Sequence, residues 1–168
     1  MAINVYLTLL LLFGLAIFQN SMLSDLKLGA ARTDVMLLAV LSWTLLRGSR
    51  RGMMWAFAGG MFLDLTCGGP MGRFAISLLV VAFLMGLGSD YFSPGNLLIP
   101  PLLSGVLTLP YDLTQLVILQ AIGHHLIWWE NILKVTLPSM LLNAAASLPV
   151  YLVLRWLHHR TLGERMEW

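Results

Sequence analysis

The chain has 168 residues, 58% of them hydrophobic and 11% charged, with a net charge of +2. A soluble domain is nearer to about half apolar and about a quarter charged, so too few charges remain here to clothe a water-facing surface, and most of the exterior should face lipid. The small net charge provides no basic face for nucleic acid, and the lone cysteine, Cys67, excludes an internal disulfide or a cysteine-based metal cluster.

The first apolar run, 3–19, has no Lys or Arg ahead of it and no convincing small-residue cleavage site. It reads as a retained helix rather than a signal peptide. Roughly 20 apolar residues cross about 30 Å of hydrocarbon, and this run nearly reaches that. In the loop 20–34, Asp25, Lys27, Arg32 and Asp34 balance one another. Thr33 or Asp34 can cap the next helix, because a short side-chain oxygen satisfies its free backbone N–H groups. The run over 33–46 is apolar but short. It reads as a thin crossing, or as a half-buried helix covered by its neighbours, and the charge pattern favours the crossing.

A basic turn follows, Arg47-Gly-Ser-Arg-Arg-Gly52, then helices over 53–66 and 74–89, and a turn at 90–95. The run 96–122 is broken by Pro100, Pro101 and Pro110. Residues 124–131 form an aromatic, polar loop. The last helix, 132–157, contains Pro138 and Pro149. Proline bends a membrane helix, and its neighbours re-satisfy the freed carbonyls. The fold class is therefore all-α: one integral membrane domain over 1–168, a bundle of six helices, or five if 33–46 does not cross. No room remains for an extramembrane catalytic module.

Basic residues set the orientation, because cytoplasmic loops are enriched in Lys and Arg. Arg47, Arg50 and Arg51 share one loop, and Arg155, Arg160 and Arg165 lie at the C-terminal end. With six crossings both groups fall on one side, taken as the cytoplasm together with both termini. Lys27, Arg32, Arg73 and Lys134 fall on the other side. The tryptophans agree, since they favour the headgroup level: Trp43, Trp55 and Trp156 lie near the basic end, and Trp128 and Trp129 near the opposite one.

Gly52, Ala56, Gly60 and Asp64 recur every four residues, so they share one helix face. Small residues at that spacing let a second helix approach closely. That helix belongs either to the bundle or to a partner. Asp64 is an ionisable group at membrane depth and should face protein or water. It can clasp the following turn through Arg73 or through free backbone N–H groups, or serve as a ligand or proton site. Gly68, Gly69 and Gly72 permit backbone angles that other residues resist, and Pro70 stiffens the same turn. On the fifth helix Ser104, Thr108, Tyr111, Asp112 and Gln115 fall three or four apart and form one polar stripe. The stripe either bonds neighbouring helices or lines a cavity, with Asp112 the better ligand candidate of the two carboxylates. His124 and His125 are adjacent, so they diverge on a helix, and no HExxH pattern accompanies them. No nucleophile–base–carboxylate set, phosphate loop or metal motif is present. The expectation is no enzyme and no cofactor.

The stretch Phe57-Ala-Gly-Gly-Met-Phe-Leu-Asp-Leu-Thr-Cys-Gly-Gly-Pro-Met-Gly72 resembles the signature of the MreD family of bacterial rod shape-determining membrane proteins. The pattern falls on Phe57, Gly60, Met61, Asp64, Leu65, Gly69, Met71 and Gly72, with Met71 where the family usually has Leu. The short preceding helix, from Asp34 to the basic turn, also fits, as do the length and the number of apolar runs. The resemblance implies a non-catalytic scaffold and regulator of lateral peptidoglycan synthesis in the bacterial inner membrane. Its implied partners are an MreC-like single-span protein, a RodA-type glycosyltransferase with its class-B penicillin-binding transpeptidase, and indirectly the MreB filament system. It also implies a fold similar to the substrate-binding S components of energy-coupling-factor transporters. The alternative function follows from that: an S subunit binding a vitamin or metal, with Asp112, Asp64 and Tyr111 as ligands. The Ala-x-x-x-Ala pattern common in the first helix of such subunits is absent from 3–19.

Overall fold

The computed structural model describes residues 2–22, 33–88, 98–123 and 128–162. The expectations for Asp25, Lys27, Arg32, the turn at 90–95, His124, His125 and Arg165 lie outside them. The described residues form helices α1 (Ala2–Met22), α2 (Val35–Arg47), α3 (Ser49–Cys67), α4 (Arg73–Gly88) and α5 (Ile99–Ala121). A sixth rod joins a short α6 (Trp128–Asn131), a π segment (Ile132–Thr136) and α7 (Leu137–Leu162). No strand occurs among the described residues.

Three boundaries differ from expectation, each for a local reason. The basic turn shrinks to one residue, Gly48 at φ 85°, and Arg50 and Arg51 already belong to α3. The polar loop 124–131 is helical from Trp128 onward. The π segment ends against Pro138, which lacks an N–H and crowds the carbonyl four residues back. The chain widens there, and the Leu137 N–H bonds the Ile132 carbonyl.

Contacts between rods fix an up-and-down order. Gln19 near the end of α1 meets Met36 at the start of α2, and Asn20 meets Thr66 at the end of α3. At the other end Gly52 of α3 abuts Thr44 of α2, and Gly86 of α4 abuts Ser49 of α3. The ends of α1, α3 and α5 and the starts of α2, α4 and the sixth rod thus share one end of the bundle. Arg47, Arg50, Arg51 and Arg155 belong to the opposite end, where Trp43 and Trp55 stack at 4.2 Å and Arg47 lies over the Trp43 ring.

The short helix α2 occupies the centre. Met36 to Thr44 are buried without interruption, and α1, α3, α4, α5 and α7 all pack on it. At 13 residues it is only ~20 Å long. The helix within 33–46 is thus covered by its neighbours on every side. Every other rod turns large apolar side chains outward, among them Leu10, Met54, Phe83, Leu102 and Leu141. An apolar exterior of this extent suits lipid and not water. Among the described residues, two rods, Ile99–Ala121 and Trp128–Trp156, are long and apolar enough to cross a membrane.

Candidate functional site

The Gly/Pro turn between α3 and α4 is organised by one carboxylate. Asp64, 6% exposed, accepts hydrogen bonds from the backbone N–H groups of Gly72 at 3.0 Å, Phe74 at 2.9 Å and Ala75 at 3.2 Å. These are the orphan donors at the start of α4. Gly72 has no side chain to satisfy them, so the preceding helix supplies the oxygens, and the positive end of the α4 dipole favours the negative charge. Arg73 is engaged elsewhere, donating to Gln115 Oε1 through Nε and Nη2 at 3.0 and 2.5 Å. Of the two clasps open to Asp64, the chain uses the backbone one.

Two glycines of the turn need φ values that side chains resist, Gly68 at 63° and Gly72 at 94°. Gly69 does not, and a Cβ there would meet nothing within 4 Å, which corrects the expectation for it. Gly69→Ala should therefore leave the thermal midpoint in detergent unchanged. Gly72→Ala should cost about 1 kcal/mol.

The small-residue face of α3 is buried inside the bundle. Gly52 lies against Thr44, and Gly60 lies against the Ala75 backbone, where an added Cβ would fall 2.7 Å from its nitrogen. Ala56 is fully buried. The chain's own α2 and α4 fill this face. Of the large apolar motif residues, Phe57, Leu65 and Met71 point outward, at 54%, 64% and 70% exposure.

The polar stripe of α5 meets a second stripe on α7. Asn143 Nδ2 donates to Thr108 Oγ1 at 3.0 Å, and its Oδ1 accepts from the Asp34 N–H at 3.0 Å. The Asn143 carbonyl accepts from Ser104 Oγ at 3.3 Å. One fully buried amide thereby ties α2, α5 and α7 together. Sequence reasoning missed it, although Ser139, Asn143 and Ser147 stand four apart and are all buried. It also missed Gln19, whose Oε1 accepts from the Met36 N–H at 2.8 Å and whose Nε2 donates to Asp34 Oδ1. Asp34 holds the N-cap position of α2, but its side chain makes no cap bond. Gln19 caps the helix from α1, which corrects that expectation.

Tyr111 is fully buried, and its hydroxyl finds no hydrogen-bond partner among the described residues. A buried unsatisfied hydroxyl costs about 1–3 kcal/mol. Tyr111→Phe should therefore keep or raise the thermal midpoint. A drop would show that the hydroxyl has a partner.

A cavity of about 540 Å³ opens at the Asp64 end of the bundle. Arg73, Asp34, Asp112, Gln115 and Ser139 line it, together with Gly69 and Val135. Of the α5 stripe, only Asp112 and Gln115 reach it. Ser104, Thr108 and Tyr111 lie deeper in the bundle. No cluster of three or more metal-ligating side chains occurs among the described residues.

The family model described as rod shape-determining protein MreD matches residues 1–161. No curated protein and no solved structure matches the chain.

Proposed function

Because the chain belongs to the MreD family of rod shape-determining membrane proteins, we propose that it is a non-catalytic scaffold of the bacterial elongation machinery. It binds an MreC-like single-span protein and, with it, supports lateral peptidoglycan synthesis by a RodA-type glycosyltransferase and its class-B transpeptidase. Its link to the MreB filament system is indirect. The observation that carries this reading is the family match over nearly the whole chain. Described polar groups support it, since the buried Asp64 and Asn143 and the half-buried Gln19 are spent on holding helices together. We place the protein in the inner membrane with six crossings. The arginine-bearing end and both termini face the cytoplasm, as the bias of basic residues suggests.

The test is co-purification with an MreC-like protein in detergent, alongside restoration of rod shape to cells depleted of the native protein. Since α2 and α4 fill the small-residue face, a partner helix meets the signature stretch through its outward side. Phe57→Ala should leave insertion intact and weaken co-purification by about tenfold, the loss expected when an aromatic anchor is truncated. Undiminished recovery of the partner would remove the outward face of α3 from the interface.

The rival reading, an S subunit of an energy-coupling-factor transporter, is favoured by the cavity. Its three ligand candidates fare unequally. Asp64 is engaged by backbone, Tyr111 is sealed in the bundle, and only Asp112 reaches the cavity. Vitamin or metal uptake after reconstitution with an ATP-driven coupling module would favour transport over the scaffold.

A further inference from the structure

The two ends of the bundle differ in charge. The acids among the described residues, Asp34, Asp64, Asp112 and Glu130, all belong to the Asp64 end. The opposite end carries Arg47, Arg50, Arg51 and Arg155 and, among the described residues, no acid. Arg47 is already engaged, lying over the Trp43 ring. Arg50 and Arg51 are different. Both are exposed in the first turn of α3, and neither makes an ion pair or hydrogen bond among the described residues. Arg51 also lies near enough to Arg47 for the two charges to repel. The surface one turn deeper is apolar. Met53 and Met54 point outward there, and residues three and four apart share a helix face. Helical side chains lean toward the start of their own helix. The two guanidinium groups therefore reach toward the end of the bundle, with the methionines behind them. Trp156, exposed at the same end, suits the level of lipid head groups.

We infer that Arg50 and Arg51 bind the head group of an anionic phospholipid, whose acyl chains lie along Met53 and Met54. A guanidinium fork matches a phosphate in charge and in geometry. Charged and apolar groups follow one another on a single outward face of α3. That order matches a molecule with a phosphate at one end and hydrocarbon at the other. A water-borne acidic segment would match the arginines alone. A zwitterionic lipid brings its own ammonium, which competes with the arginines for the phosphate. The inference goes beyond the scaffold reading, and its failure would leave partner co-purification untouched.

The full chain in phosphatidylcholine nanodiscs provides the test, with the thermal midpoint followed by tryptophan fluorescence. Phosphatidylglycerol replaces part of the lipid in one arm, and phosphatidylethanolamine in a second. Soluble glycerophosphoglycerol or a poly-glutamate peptide is added to phosphatidylcholine discs in two more. A saturable rise is expected with phosphatidylglycerol alone. Arg50→Gln and Arg51→Gln should each weaken the apparent affinity about fivefold, the effect of removing one cation from an anionic surface. Arg50→Lys/Arg51→Lys keeps both charges and should retain most of the response. Lys134→Gln, at the opposite end, should leave it unchanged. Salt at about 1 M should weaken the rise in the wild type itself, which keeps the test open if a variant fails to fold. A rise that never saturates, that survives high salt or that appears equally with phosphatidylethanolamine would overturn the inference. So would wild-type affinity in the folded Gln variants. A response to the peptide alone would give the arginines to an acidic protein, and one to the soluble head group alone to a free solute; either result overturns the lipid site.

Discussion

Gly60→Ala is expected to unseat α4 from α3 and cost about 3 kcal/mol, the upper end for overpacking, because the added methyl meets backbone. The obstacle is Ala75 itself, whose nitrogen would stand 2.7 Å from the new carbon. No rotamer change relieves a clash with backbone, so the two helices must part. Gly52→Ala provides the contrast. There the obstacle is the Thr44 side chain, and trimming it in the double variant Gly52→Ala/Thr44→Ala should recover most of the loss. Thermal midpoints of the variants in detergent decide the matter. A Gly60→Ala protein that melts like the wild type would mean that α3 and α4 do not approach as described.

Asp64→Ala should be comparably damaging, about 3 kcal/mol, because it strips the charged acceptor from three backbone donors that have no other described partner. Asp64→Asn should fall between, since the amide keeps one acceptor oxygen but loses the charge that the helix dipole favours. Arg73→Gln should be milder than Asp64→Ala, because Arg73 bonds Gln115 and not the carboxylate. If Arg73→Gln proved as harmful as Asp64→Ala, and the double variant no worse than either, the two residues would act as one pair. The backbone clasp would then be the wrong description.

What the sequence disclosed followed from how local each signal was. Apolar runs and their breaks marked the six rods, because a lipid exterior leaves long uncharged stretches in the chain. The four-residue recurrence from Gly52 to Asp64 marked a shared face, and the turn after Asp64 was plainly one for glycine. Pairings between distant segments were not legible. Nothing near Arg73 in the chain points to Gln115, and nothing near Asp34 points to Asn143 or Gln19. The α5 stripe was visible, yet its counterpart on α7 was passed over because serines and a lone asparagine scarcely dent so apolar a run. The depth of each carboxylate was equally hidden. Asp112 reaches the cavity and Asp64 does not, a difference set by rotation of the helices about their axes and by the early end of α2.

The enclosure of α2 also constrains how the protein is made. Leaving the insertion machinery early, this 13-residue helix is apolar but too short to rest stably across a bilayer by itself. Its flank toward α7, with the Asp34 amide waiting for Asn143, stays bare until the last rod has been synthesised. Biogenesis should therefore close in a single late step, and chains released before that rod emerges would be recognised by membrane quality-control proteases rather than persist as shorter bundles.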